Sequence, residues 1–110
     1  MATVFKNVLK NDIGTSTTPV LVTGSNVNTT VIGLSLSNTT ESIVLASIKL
    51  EDTISGTSAY YIKNVLVPPD QSLRVINGGE RLVLGPSTNV IITSNTASSL
   101  DLVLSYVEIN

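Results

Sequence analysis

Leu100-Asp101-Leu102-Val103-Leu104-Ser105-Tyr106-Val107-Glu108-Ile109 is the last extended run of the sequence, and its reading decides the fold class. At period two, Leu100, Leu102, Leu104 and Tyr106 fall on one side, with Val103, Val107 and Ile109 on the other. A strand that is apolar on both sides is expected at the centre of a sheet or against a neighbouring subunit.

Upstream, the same period recurs in short runs broken every eight to twelve positions by turn residues, as in a sandwich or barrel. The runs are Val4 to Lys10, Pro19 to Thr23, Thr30 to Ser37, Ile43 to Asp52, Ala59 to Val67, Gln71 to Asn77, Glu80 to Leu84 and Asn89 to Ser94. No stretch keeps a helical period. Asn38 to Ser42 reads as a hairpin connection, Thr53 to Ser58 as a flexible loop, and Gly78-Gly79 and Gly85-Pro86-Ser87 as turns. Pro68-Pro69-Asp70 stops a strand, because two prolines remove two ladder donors. The expected fold is all-β, an antiparallel β-sandwich or jelly-roll-like domain of about eight to nine short strands. One domain spans residues 1–110, with residues 1–16 as an N-terminal arm or first strand.

Composition agrees with this reading. Of 110 residues, 37 are Val, Ile or Leu and 38 are Ser, Thr or Asn, an alphabet of β-branched interior and short polar exterior. Histidine and cysteine are absent, which excludes Cys/His zinc sites, a Ser-His-Asp triad, a thiol nucleophile and disulfides. Six basic and eight acidic residues give a net charge of −2, and Lys6, Lys10, Lys49, Lys63, Arg74 and Arg81 are scattered. Neither nucleic acid nor an anionic membrane is an expected partner. Met1 to Val20 contains lysines, Asp12 and Gly14 and no continuous apolar stretch, unlike a secretory signal or membrane span. The sequons at Asn28 and Asn38 are therefore read as chance matches in a chain rich in Asn and Thr.

The remaining chemistry is thin. Glu51 and Asp52, with Asp70 or Glu80, lack the dense spacing of a calcium loop, and neighbouring strand residues face opposite ways. Paired carboxylates for glycoside hydrolysis would need sugar-holding platforms, which one Phe, three Tyr and no Trp scarcely supply. Gly78-Gly79 and Gly85-Pro86 precede no helix and match no phosphate loop. No catalytic residue, metal ligand or cofactor is expected. Tyr60 and Tyr61 should project to opposite faces, one toward the core and one as a surface anchor.

Three segments carry a family resemblance: Val4 to Ser16 (VFKNVLKNDIGTS), Val31 to Thr40 (VIGLSLSNTT) and Ala97 to Ile109 (ASSLDLVLSYVEI). Together with Tyr60 to Leu73 and Asn77 to Leu84, read as strand, proline break, strand and glycine hairpin, they resemble small β-rich virion proteins of tailed bacteriophages. The resemblance spans nearly the full chain and its motifs are architectural. It implies a non-enzymatic virion protein, assembled in the host bacterial cytoplasm. The leading expectation is a capsid cement or decoration subunit that binds major capsid protein or other virion proteins as a homo-oligomer, with a trimer as the simplest case. A neck, tail or fibre accessory is the alternative, and a carbohydrate-binding module using Tyr60 or Tyr61 the outsider. Expected contacts are Val4 and Phe5 within Ala2 to Lys10, Tyr60, Tyr61, Pro68 and Pro69, and Tyr106, Val107 and Ile109 on the last strand.

Overall fold

Runs that are apolar on one face must close that face against another, and the computed structural model, which describes residues 3–76 and 81–109, does so with two sheets. Its strands are β1 (Thr3–Ile13), β2 (Thr18–Val22), β3 (Asn28–Asn38), β4 (Val44–Asp52), β5 (Ser58–Val67), β6 (Ser72–Ile76), β7 (Leu82–Leu84), β8 (Thr88–Ser94) and β9 (Leu100–Ile109). There is no helix among the described residues. Sheet A runs β1-β9-β3-β6, with β7 also on β3, and sheet B runs β2-β8-β4-β5. All these pairings are antiparallel.

Leu34 to Ser37 pair with β6, and Thr29 to Val31 pair with β7 in the same sense. Strands β6 and β7 thus act as one interrupted strand laid end to end on β3. Counted so, eight strands in two four-stranded sheets alternate as in a jelly roll, a double Greek key. The two sheets are separate, which makes the domain a sandwich rather than a barrel.

This topology corrects two local expectations. Asn38 to Ser42 is not a hairpin, because β3 and β4 lie in different sheets. The glycine turn at Gly78-Gly79 lies outside the described residues, but the strands on either side of it are collinear on β3, not hairpin partners. Strands β4 and β5 alone, among the described ones, are sequence neighbours that pair directly. The first strand is also longer than its alternation suggests. It reaches Ile13 through a register shift after Lys10, and Asp12 takes a left-handed φ of 54° there.

The core sits between the sheets. Sheet A supplies Val31, Leu34, Leu36, Leu100, Leu102 and Leu104, and sheet B supplies Val44, Ala46, Ile48, Val67, Val90 and Ile92. Strand β9 lies between β1 and β3, the central place its two-sided apolar pattern demands.

Polar side chains close the crossings between sheets. Asn38 is only 3% exposed; its Nδ2 donates to Ser42 O at 2.8 Å and Val67 O at 2.9 Å, while its Oδ1 accepts from Thr40 N and Thr40 Oγ1. The nitrogen that a glycan would need is thereby committed to the fold. At the other end Ser99, fully buried, donates to Thr96 O at 2.7 Å, lies 2.8 Å from Ser94 Oγ, and its amide bonds Ile13 O. A side chain on Gly14 would come within 3.1 Å of the Ala97 Cα and Ser98 N, so glycine permits this close passage.

Two predictions follow from these contacts, both read by denaturant unfolding. Asn38→Ala removes the buried donor to Val67 O together with the bonds that Asn38 makes to Ser42 and Thr40, and should lower stability by roughly 2 kcal/mol. Thr29 is buried with no hydrogen-bond partner for its Oγ1. Thr29→Val keeps the shape and removes that unpaired hydroxyl, so stability should rise by about 1 kcal/mol.

Candidate functional site

The distinctive surface of this domain is the outer face of sheet A. Because antiparallel partners share a face, the registers define rows across the strands. One row runs Phe5, Val107, Thr30, Val83, and another runs Leu9, Val103, Ser35, Arg74. Phe5 is 74% exposed, Leu9 67%, Val83 72% and Val103 47%. Large apolar side chains scattered singly on a surface are ordinary, whereas contiguous rows of them mark interaction sites.

Between the two rows lies Asn7, Ser105, Gly33, a line of small or polar residues. Here β3 bulges, with Ile32 as the extra residue between the pairs Val31–Tyr106 and Gly33–Ser105. The result is a trough. A depression of about 500 Å³ lined by Phe5, Thr30, Ile32, Arg81 and Val107 opens beside another lined by Ile32, Ser35, Arg74, Val103 and Ser105 among others. Both are wide open to solvent, unlike a cleft that buries most of a small ligand. Arg74 and Arg81 border the trough on the β6–β7 side. No group of three or more acidic side chains converges among the described residues.

The contact residues expected from sequence divide among three places. Phe5, Val107 and Ile109 lie on the outer face of sheet A, and Val4, on the same edge strand, points to the inner side opposite Glu108. Tyr106 turns inward and is 8% exposed, its ring taken up by the domain's own core. Tyr60, Tyr61, Pro68 and Pro69 belong to sheet B and its exit. Tyr60 is exposed with the Lys63 ammonium 4.8 Å from its ring centroid, and Tyr61, an extra residue at a register shift, packs half-buried against the core. Pro68 to Gln71 forms a turn closed by Gln71 N to Pro68 O, with Asp70 at φ 56°. It makes the crossing from β5 of sheet B to β6 of sheet A, where Gln71 O accepts from Asn38 N, at the far end of β3 from Thr30 of the Phe5 row.

Leu9 lies within the expected segment Ala2 to Lys10 and Val103 on the expected last strand, though neither was singled out, whereas Ile32 and Val83 were not among the expected contacts. The available signal was that the first and last strands carry large aliphatics in both phases of the alternation. Ile32 shares the phase of Leu34 and Leu36, and only the bulge turns it outward. On the inner side of the β1 edge, Lys6 Nζ meets Glu108 Oε1 at 2.6 Å, and this hydrogen bond holds the lysine above its ordinary value.

No protein-family model matches this chain, and no curated protein sequence matches it. Among solved structures, the domain is similar to a chain in the acid-stable capsid of Helicobacter pylori bacteriophage KHP30, with a TM-score of 0.57 and 12% identity over 100% of this chain and 94% of that one. It is also similar to a chain of Bacillus endospore appendages, a family of disulfide-linked pili (TM-score 0.53, 10% identity, 98% and 88% covered). A third similarity is to part of a chain from the T13 IBDV viral particle (TM-score 0.55, 9% identity, 96% and 35% covered). At these identities the likeness is one of fold.

The outer face is surplus to folding. Phe5→Ser with Val83→Ser should change unfolding stability by less than about 1 kcal/mol. Binding of a hydrophobic dye to the native protein should fall, and fluorescence titration with and without the double substitution reads this directly.

Proposed function

We propose that this chain is a non-enzymatic structural protein of a bacteriophage particle, a cement or decoration subunit seated on the shell of major capsid protein. The observation that carries the reading is the pair of rows on the outer face of sheet A, with Phe5, Val107 and Val83 in one and Leu9 and Val103 in the other, flanking an open trough. A face of this kind, with open depressions instead of a closed pocket, suits burial against a broad protein surface. The jelly-roll fold, found also in viral capsid domains, supports the same reading. Short Ser, Thr and Asn side chains around the face hydrogen-bond across an interface with little loss of rotamer freedom. Repetition on a symmetric shell multiplies a weak single contact through avidity.

Quantitative mass spectrometry of purified particles tests this. A ratio near one copy per major capsid protein is the expected result, a few copies per hundred would move the protein to the neck, tail or a fibre, and absence would overturn the particle reading. In a rebinding assay on particles stripped of the protein, Val83→Glu with Val103→Glu should weaken attachment at least tenfold, about 1.4 kcal/mol. Both side chains are exposed, so the variant should stay folded by circular dichroism.

A further inference from the structure

The free edge of sheet A has a property independent of its outer face. Strand β1 is the terminal strand of that sheet, and from Thr3 to Lys10 it pairs residue for residue with β9 on one side only. An 11-residue edge strand without proline offers a row of unpaired backbone donors and acceptors to another strand. Phe5 and Leu9 stand largely exposed on its outer face, and Val4, Lys6, Val8 and Lys10 point to the other.

We infer that β1 pairs antiparallel with β1 of a second copy of this chain, about a twofold axis through Asn7. The sequence of the strand is self-complementary in that register and in no neighbouring one. With Asn7 opposite its own copy, Phe5 lies opposite Leu9 and Leu9 opposite Phe5 on the outer face, two apolar cross-strand pairs. On the inner face Lys6 meets Val8 and Lys10 meets Val4, so no lysine opposes another. Faces stay matched only if the register shifts by whole steps of the side-chain period. Centring on Lys6 sets Lys6 against Lys6, and centring on Val8 sets Lys6 against Lys10 twice. Like charges directly opposite destabilise a sheet. The two lysines therefore reject the adjacent registers, and within the regular stretch Thr3 to Lys10, before the register shift, the Asn7 register is the longest that remains. It also places each Lys10 one strand away from the second copy's Glu108, which lies beside Val4.

Such a dimer joins two copies of sheet A edge to edge. The Phe5 and Leu9 rows then continue from one copy into the next, doubling the apolar face. The inference does not depend on what that face binds.

Sedimentation of the full chain at about 0.1 mM, the weak end of specific association, should give twice the 11.6 kDa chain mass. Asn7→Lys sets a lysine against its own copy at an exposed position and should return the protein to monomer, with the double substitution Phe5→Lys and Leu9→Lys, which sets lysine against lysine twice, as a second variant to the same end. The chain has no cysteine, so Asn7→Cys introduces a single thiol. Opposed residues of an antiparallel pair have Cα atoms ~4.5–5.5 Å apart, within disulfide range. Oxidised Asn7→Cys should therefore run as a covalent dimer, Leu9→Cys alone should not, and an equal mixture of Phe5→Cys and Leu9→Cys should cross-link. A monomeric or trimeric native chain overturns the inference, as does a dimer that survives both lysine variants or leaves Asn7→Cys uncross-linked. A monomer that still binds particles strikes this inference alone. A dimer absent from particles strikes only the proposed function.

Discussion

The insertion of β9 between β1 and β3 is the constraint on which the rest of the molecule depends. A strand that is apolar on both faces is stable only with backbone partners on both edges and cover on at least one face. Strand β9 finds those partners in the first third of the chain, with Leu104 level with Val8 on one side and Leu34 on the other. Once these three strands are joined, the intervening segments are obliged to cross to a second sheet and return. Such non-local pairing makes loop closure the principal entropic obstacle to folding. This is why the crossings carry so much of the polar bonding: Asn38 at one and Ser94 with Ser99 at another hold turns that no ladder supports.

That arrangement also creates the surface. Because β9 faces the core with Leu102, Leu104 and Tyr106, and β1 turns Val8 to the same side, their alternate residues must point away from it. Phe5, Leu9, Val103 and Val107 are therefore outside by geometry, not by lack of hydrophobicity. On sheet B the outward Lys49 and Glu51 share their face with the exposed Tyr60 and Leu66, so charge and apolar surface are mixed there. The trough on the outer face of sheet A exists because β3 bulges at Ile32, opposite the point where β6 gives way to β7.

The comparisons fit this physical picture at the level of fold. Chains from a phage capsid, a spore appendage and a viral particle resemble this chain in fold at about a tenth identity. The disulfide linkage of the pilus family is closed to this chain, which has no cysteine.

Strand positions and class were legible in the sequence because the side-chain period of two is a local property, written in runs such as Val44-Leu45-Ala46-Ser47-Ile48. The central place of the last strand was legible for the same reason: its apolar residues occupy both phases. Partners, however, are chosen by closure of the whole core, which no local pattern records. Asn38-Thr39-Thr40 carries the signature of a polar turn whether it joins paired strands or crosses between sheets, and Gly78-Gly79 suggests a hairpin although its flanking strands are collinear. Ile32 belongs by phase to the core and is turned outward only by a bulge that register with β9 imposes. Sequence alone thus determined which segments are extended and which side chains alternate. Tertiary structure decided which strands meet, and hence which of two apolar phases is buried and which forms the outer face.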